Sequence, residues 1–182
     1  GFVRCLAMLD TRVRFALRSA VAFSVSALGL AAPARAGHHE LCSIDLVSQP
    51  PLGGGVGSAD SAEPALSHDG RFLVFSSNAS NLIGNDTNNK SDVFLRDLAL
   101  HTTTRVNVDF FGGQVFAIAG QPSISDDGRF VCFTSAGAFH ILGDVNNKSD
   151  VFVRDMWLGE NSRVSVGANG EEPNQNSTGK IS

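Results

Sequence analysis

The sequence is short of basic residues once its first 36 positions are set aside, and this shortage excludes one class of partner. Its 182 residues include 14 Lys and Arg and 18 Asp and Glu. Five of the arginines but only one of the acids lie within residues 1–36, so the rest of the chain has nine basic and 17 acidic side chains, a net charge of −8. Because a phosphate backbone binds to clustered Lys and Arg, we expect no nucleic-acid partner.

The sequence also lacks an apolar run long enough to cross a membrane. The run at residues 19–32 has 14 residues, whereas a spanning helix needs about 20. Arginines precede this run, and Ala34-Arg35-Ala36 follows it. A basic flank, a short apolar core and a small-x-small site are typical of a secretory signal peptide. We therefore predict a signal peptide over residues 1–36, cleaved after Ala36, rather than a membrane anchor, and a periplasmic or secreted protein that is free of the membrane after cleavage.

Cysteine is scarce, with three residues in the chain. Cys5 lies in the predicted signal peptide, which leaves Cys42 and Cys132. An oxidising compartment permits a disulfide between them, but the sequence alone does not supply the Cα geometry that a bridge requires. Cys132 lies in an apolar run, so we favour two unrelated thiols and a buried packing role for Cys132.

Motifs of catalysis and of zinc binding are missing as well. The chain contains neither Gly-x-Ser-x-Gly nor His-Glu-x-x-His, the patterns of common hydrolase and metalloprotease sites. His38-His39-Glu40-Leu41-Cys42 brings several metal-ligand types together, but with none of the zinc spacings. We expect an exposed, frayed terminus there.

What the sequence does have is an internal repeat. Asn-Asn-Lys-Ser-Asp-Val-Phe-Leu-Arg-Asp at residues 88–97 returns at residues 146–155 with Val in place of Leu, an offset of 58 residues. The same offset carries the Asp-Gly-Arg-Phe of residues 69–72 to residues 127–130. A gapless repeat of this length is one copied supersecondary unit, which buries its apolar face against its neighbours.

Each copy predicts four short strands, because short apolar or β-branched runs alternate with turn residues and no segment has the 3.6-residue apolar period. We expect one four-stranded antiparallel sheet of up-and-down connectivity per 58-residue repeat. The predicted strands are residues 65–67, 72–75, 92–97 and 102–108 in the first copy and 123–125, 129–134, 150–155 and 162–166 in the second, with a lone strand at Ile44–Ser48 before them.

The order of motifs is Pro-x-x-Ser-x-Asp-Gly-Arg-Phe, then Asp-Val-Phe-x-Arg-Asp, then Thr-x-Arg-Val. It resembles the TolB-like, WD-type β-propeller repeat of exported bacterial proteins, over residues 64–166. The resemblance implies an all-β fold with one four-stranded blade per repeat, arranged around a central channel. For activity the resemblance implies little, because propellers of this type mostly present surfaces to partners and a fold does not settle function.

The blade number predicts an incomplete ring, because propellers have about 4 to 8 blades and this chain has about two and a half. We expect a fragment of a longer protein rather than several chains completing one ring, and an oligomer only if the chain is not a fragment. The predicted segments are a signal peptide at 1–36, an N-terminal segment with one outer blade strand at 37–63, blades with their connections at 64–121 and 122–179, and the start of a third blade at 180–182.

The loop before the repeated strand is the candidate metal site. It places oxygen side chains at its positions 1, 3 and 7, and calcium takes six to eight such oxygens. A lysine stands among them and the EF-hand glycine is missing, so the alternative is a turn held by hydrogen bonds from Asn and Asp side chains to the backbone. We favour the turn and keep calcium as the one candidate cofactor. The candidate ligands are Asp86, Asn88, Asp92, Asp144, Asn146 and Asp150.

The remaining titratable residues give little sign of a catalytic site. Three histidines occur in one copy of the repeat only, so we expect solvated loop side chains; they are His68, His101 and His140. Arg96-Asp97 recurs as Arg154-Asp155, and recurrence in each blade indicates a structural pair within the sheet rather than a charged active site.

Two functions are consistent with these features. The first is a non-catalytic exported propeller whose loops or channel mouth bind a protein or an envelope glycan. The second is the propeller portion of a larger peptidase-like hydrolase or lyase whose catalytic residues lie outside this sequence. We favour the first function, because the chain itself contains no catalytic motif.

Overall fold

The computed structural model describes residues 2–3, 44–50, 55–146 and 148–179. Almost all of the predicted signal peptide, the His38–Cys42 segment and the predicted start of a third blade at 180–182 lie outside the described residues. The chain divides into two compact units, Gly1–Asp45 and Leu46–Ser182. No helix within the described ranges is long and apolar enough to span a bilayer.

The first unit contains two short strands. Strand β1 (Phe2–Val3) pairs antiparallel with strand β2 (Ile44–Asp45). The lone strand predicted over Ile44–Ser48 therefore ends at Asp45. The chain turns directly afterwards, where the backbone N–H of Gln49 donates to the carbonyl of Val47 at 3.0 Å.

The second unit contains two four-stranded antiparallel sheets, and every strand of the second sheet begins 58 residues after its counterpart in the first. The predicted sheet per repeat is thus confirmed. The first sheet consists of β3 (Ser61–Leu66), β4 (Phe72–Ser77), β5 (Asp92–Asp97) and β6 (Thr102–Arg105) in that order. The second consists of β7 (Ala119–Ile124), β8 (Phe130–Ser135), β9 (Asp150–Asp155) and β10 (Glu160–Arg163), also in chain order.

The first strand of each sheet begins four residues earlier than predicted, because a β-bulge interrupts the alternation of side chains from which a strand is predicted. The pairing of β3 with β4 shifts register between Ala62 and Ala65, and Glu63 has a φ of 54° within the shift. Proline follows at Pro64 and cannot donate to the ladder. The second sheet repeats this bulge, with Gln121 at a φ of 52°. Residues before the proline therefore lack the alternation that marks a strand.

The fourth strand ends earlier than predicted, at Arg105 in the first sheet. Beyond it the backbone N–H of Val106 still donates to the carbonyl of Val93 at 2.8 Å. The N–H of Val93 donates instead to a side chain, at Asn107 Oδ1, at 2.8 Å. In the second sheet the hydroxyl of Ser165 accepts the equivalent bond from Val151 at 3.0 Å.

The two sheets pack against each other through an apolar cluster. Side chains alternate between the two faces of a sheet. The face that the second sheet buries in this cluster is therefore the counterpart of the face that the first sheet turns away from it. Its members are Val74, Val93, Leu95 and Val106 from the first sheet and its following connection, and Ala119, Ile124, Val131, Phe133 and Phe152 from the second. Adjacent up-and-down sheets joined in this way are neighbouring propeller blades.

The connections fall at two opposite ends of the blades. Tight turns lie at one end, here called the turn end, where the N–H of His68 donates to the Asp126 carbonyl across the blades at 3.2 Å. Gly70 and Gly128 have φ values of 71° and 75° in these turns, the conformation predicted for the Asp-Gly pairs. The opposite end, here called the loop end, carries the connections 78–91, 106–118 and 136–149.

Candidate functional site

The repeated loop forms the predicted Asx-type turn. The side-chain oxygen of Asn88 accepts the backbone N–H of Lys90 at 2.9 Å, and Asn146 accepts that of Lys148 at 2.8 Å. The amide nitrogen of Asn88 donates to the carbonyl of Val115 at 2.9 Å. One side chain thus shapes its own loop and ties it to the connection between the blades.

In the first blade two of the predicted residues, Asp86 and Asp92, contact an arginine that is not among the predicted ligands. Arg105 lies with Nη2 3.1 Å from Asp86 Oδ1 and Nε 3.2 Å from Asp92 Oδ2. Asp92 also accepts the side-chain amides of Asn107 at 2.6 Å and of Asn88 at 3.1 Å. All five side chains belong to buried residues. We call this set the Arg105 cluster.

The second blade repeats the arrangement around Arg163, here called the Arg163 cluster. The Nη1 atom of Arg163 lies 3.2 Å from Asp144 Oδ1, 3.7 Å from Asp150 Oδ2 and 2.8 Å from Glu172 Oε1. Asn146 donates its amide to Asp150 at 3.2 Å. Glu172 stands where the first copy has Gln114, so this cluster carries one more formal negative charge.

Burial governs the electrostatics of both clusters. It raises the pKa of Asp92, against the opposing effect of hydrogen bonds from Asn107 and the charge of Arg105. Burial also raises the pKa of Asp144, and the neighbouring charge of Asp150 acts in the same direction. The arginine offsets this cost, because a buried carboxylate with no partner destabilises a protein by about 3–5 kcal/mol.

Calcium binding by the six predicted residues stays a prediction. The clusters bring Asp86, Asn88 and Asp92 together, but a guanidinium occupies the centre where a cation would bind. Within the part of the chain that the structure describes, no three His, Cys, Asp or Glu residues are grouped so as to hold a metal. The geometry therefore favours internal neutralisation of the carboxylates by arginine.

Arg105 could have been found from the sequence, because Arg-Val recurs at residues 105–106 and 163–164. Its position relative to the acidic loop depends on strand pairing. Sequence spacing did not provide that pairing.

The predicted pairing of Arg96 with Asp97 is wrong, because Asp97 has a different partner. Neighbouring residues of a strand point to opposite faces of the sheet. Asp97 instead pairs with Arg71 at 2.7 Å, and the second blade repeats this contact between Asp155 and Arg129 at 2.6 Å. The hydrogen bonds from Arg129 lower the pKa of Asp155 to about 2. Arg96 donates to the hydroxyl of Thr103 at 2.9 Å.

His140 is not the solvated loop residue that we expected. It is fully buried beside Phe133 and Phe152, with ring centroids 5.2 Å and 4.7 Å away. Its Nδ1 lies 2.9 Å from the carbonyl of Val108 and its Nε2 lies 2.8 Å from the hydroxyl of Ser135. Burial lowers its pKa, although the Val108 carbonyl and the charge of Asp109 act in the opposite direction.

The other single residues agree with expectation where the structure describes them. His68 and His101 are exposed. Cys132 is buried, as predicted, and burial raises the pKa of its thiol. Its pairing with Cys42 stays untested, because Cys42 lies outside the described residues.

The two sheets define an all-β protein built from propeller blades. Its fold is similar to that of TolB from Acinetobacter baumannii, with 17% sequence identity and a TM-score of 0.37, over 60% of this chain and 22% of that chain. It is also similar to a putative TolB from Agrobacterium tumefaciens, with 18% identity and a TM-score of 0.39, over 60% of this chain and 31% of that one. The matched part thus spans less than a third of either protein.

The fold class predicted from the repeat is confirmed by the two four-stranded antiparallel sheets themselves. No family model matches the chain, and no curated protein matches it.

Proposed function

We propose that this chain is a non-catalytic, exported binding protein whose loop end docks a protein partner. The observation that supports this proposal is a group of exposed phenylalanines at the loop end, here called the aromatic patch. Its members are Phe110, Phe111, Phe116 and Phe139. Aromatic side chains are enriched in protein interfaces, and contiguous exposed apolar surface marks interaction sites.

The patch is contiguous because two connections, 106–118 and 136–149, bring its members together. The N–H of Phe110 donates to the carbonyl of Phe139 at 3.2 Å, and the rings of Phe110 and Phe111 lie 4.1 Å apart. The residues on either side of Phe116 pack near Gly137, two residues before Phe139. Phe111 is 86% exposed, so burial by a partner would remove a large apolar area from water.

The backbone beneath the patch is held in place before any partner binds. Asp109 accepts the N–H groups of Phe111 at 2.8 Å and of Gly113 at 2.7 Å. The carbonyl of Val108 accepts the side-chain amide of Asn161 at 2.9 Å and also contacts His140. A preorganised surface loses less conformational entropy on binding. Export rests on the sequence of residues 1–36 alone.

A peptide-display selection on the immobilised chain tests the proposal. Peptides should be enriched that bind with Kd values of about 1 mM to 1 μM. The double variant Phe111→Ser/Phe139→Ser should weaken their binding about tenfold or more, as expected for exposed aromatic contacts. Trp157→Ser, which removes an exposed aromatic residue at the turn end, is the control and should bind like the wild type.

Two results would overturn the proposal: no enriched peptide, or peptides that bind the double variant unchanged. Cosedimentation with purified peptidoglycan sacculi gives the second arm of the experiment. If sacculi bind and the double variant binds them equally well, the partner is an envelope glycan recognised elsewhere on the chain.

A further inference from the structure

The aromatic patch occurs in one copy of the repeat, on a backbone turn that both copies share. The N–H of Asp109 donates to the carbonyl of Gly113 at 2.9 Å, and at the counterpart positions the N–H of Gly167 donates to the carbonyl of Glu171 at 2.8 Å. The second turn has Ala-Asn where the first has Phe-Phe. Because the turn forms without phenylalanine, the fold does not require the patch.

Phe139 is likewise specific to one copy. Its counterpart is Asn81, which is exposed although the second blade follows it. Asn81 accepts the N–H of Ser58 at 2.8 Å, and Ser58 is the counterpart of Phe116. A hydrogen-bonded polar pair in one copy thus corresponds to two exposed phenylalanines in the other. The fold keeps this position exposed even where a neighbouring blade is present.

His140 lies beneath the patch and joins the two connections that carry it. It directly follows Phe139, and its Nδ1 lies 2.9 Å from the carbonyl of Val108, two residues before Phe110. Its Nε2 lies 2.8 Å from the hydroxyl of Ser135. Because a carbonyl only accepts, Nδ1 carries the proton of the neutral ring and Nε2 accepts the hydroxyl proton. The neutral imidazole therefore satisfies both of its hydrogen bonds and holds the connections together.

Asn161, in β10, supports the same two connections. Its side-chain amide donates to the carbonyl of Val108 at 2.9 Å and to that of His140 at 3.0 Å. The counterparts in the first copy are Leu82 and Thr103, which carry no imidazole and no amide. The polar support is thus specific to the same copy of the repeat as the phenylalanines.

We propose that His140 and Asn161 position the aromatic patch and that proton uptake by His140 releases the bound partner, a regulation that rests on the proposed function. A proton on Nε2 turns this acceptor into a donor facing the Ser135 hydroxyl. It also places a positive charge beside the rings of Phe133 and Phe152 in a fully buried pocket. Because burial of a charge is costly, the protonated ring leaves this pocket and the connections that it joins lose their position.

Two charged groups act on His140 from the neighbouring elements, in opposite directions. Asp109, in the connection 106–118, favours the imidazolium, but its carboxylate already accepts two backbone N–H groups of its own turn. Arg154, in β9, disfavours it. Ser135 and Asn161 are neutral. Burial has the largest effect and lowers the pKa of His140 below its ordinary 6.5. The support of the patch is therefore complete above pH 6.5 and is lost as the pH falls toward the folded-state pKa.

The Kd of the patch-binding peptides, measured at pH 7.5 and at pH 5.5, tests the regulation. The peptides contain no histidine or cysteine, so that they do not titrate themselves. The wild-type Kd should rise about fivefold to tenfold at the lower pH, since one group with an ordinary pKa of about 6.5 changes affinity by at most about tenfold over this range. His140→Leu introduces the residue of the first copy, and its Kd should change less than about twofold. Emission of Trp157, at the turn end, verifies that both proteins stay folded.

Asn161→Thr tests the positioning separately. Thr103 accepts a guanidinium N–H of Arg96 at 2.9 Å, as Asn161 accepts one of Arg154 at 3.0 Å. The variant therefore keeps the arginine contact and loses both amide donations. Its Kd at pH 7.5 should be about threefold to tenfold above the wild-type value, because a less ordered patch loses more conformational entropy on binding.

The possible failures are distinguishable. If no peptide binds the wild type at pH 7.5, the proposed function fails and its regulation fails with it. If peptides bind, but the Kd values of the wild type and His140→Leu change by the same factor between the two pH values, the regulation is overturned and the proposed function stands. Wild-type affinity of Asn161→Thr at pH 7.5 would overturn the positioning role.

Discussion

At the scale of single residues, the repeat places two different sequences in the same fold, so residues at equivalent positions of the two blades can be compared. His140 occupies the position of Leu82, and both are fully buried. The sequence alone suggested a solvated residue because the histidine does not recur. Alignment with Leu82 was the signal that would have identified a buried position. The hydrogen bonds to Val108 and Ser135 come from distant segments and could not be predicted.

His140→Leu should remove a pH dependence from stability. Burial lowers the pKa of His140 below its ordinary 6.5, so its contribution to stability is complete above pH 6.5 and is lost as the pH falls toward the folded-state pKa. Urea unfolding at pH 7.5 should place the variant within about 1 kcal/mol of the wild type. Below pH 6.5 the wild type should lose up to about 1.4 kcal/mol per pH unit relative to the variant.

The loss of unfolding free energy between pH 7.5 and pH 5.5 is measured in both proteins, and the value for the variant is subtracted from that for the wild type. This subtraction removes the contribution of the other histidines, which both proteins share. If the wild type and His140→Leu lose equal stability between pH 7.5 and pH 5.5, His140 is not buried in its neutral form.

At the scale of elements, the central strands were predicted well and the edge strands less well. Strands β5 and β9 match their predicted bounds, Asp92–Asp97 and Asp150–Asp155. They carry apolar residues on both faces, because each is packed on both sides. The first strand of each sheet contains a β-bulge, and beyond the fourth strand a side chain takes the place of a backbone hydrogen-bond acceptor. Neither feature produces a periodic pattern in the sequence.

The turn between β7 and β8 is an element that contacts the neighbouring blade. Gly128 has a φ of 75°, and a Cβ atom there would overlap the ring of Phe72 in the first blade. Gly143 has a φ of 87° with open space around it. Gly143→Ala should therefore cost about 1–2 kcal/mol from the backbone conformation alone. Gly128→Ala should cost a further 1–3 kcal/mol or so from crowding.

Chemical unfolding of both variants provides the comparison, and Gly143→Ala is the matched control. Equal losses of unfolding free energy would show that Phe72 does not pack on Gly128, and that the blades are spaced differently from the structure.

At the scale of the whole molecule, both acidic loops are closed by an arginine from the end of the same blade. The sequence identified Asp86, Asn88 and Asp92 as a set, and the structure brings them together. The sequence did not identify Arg105, because only the pairing of β5 with β6 brings this arginine close to the acidic loop. We predict that Arg105 and Arg163 balance the carboxylates of the two loops, so that the stability of the fold does not depend on calcium.

The thermal midpoint of the full chain, measured in millimolar calcium and again with chelator, shows whether the loops depend on the ion. The two clusters predict no change between the two conditions, because the guanidinium groups of Arg105 and Arg163 already pair with the carboxylates. A site at 100 times its Kd would add about 2.7 kcal/mol of stability, which raises the midpoint of a domain this size by several degrees. A calcium-dependent rise of that size would contradict the claim.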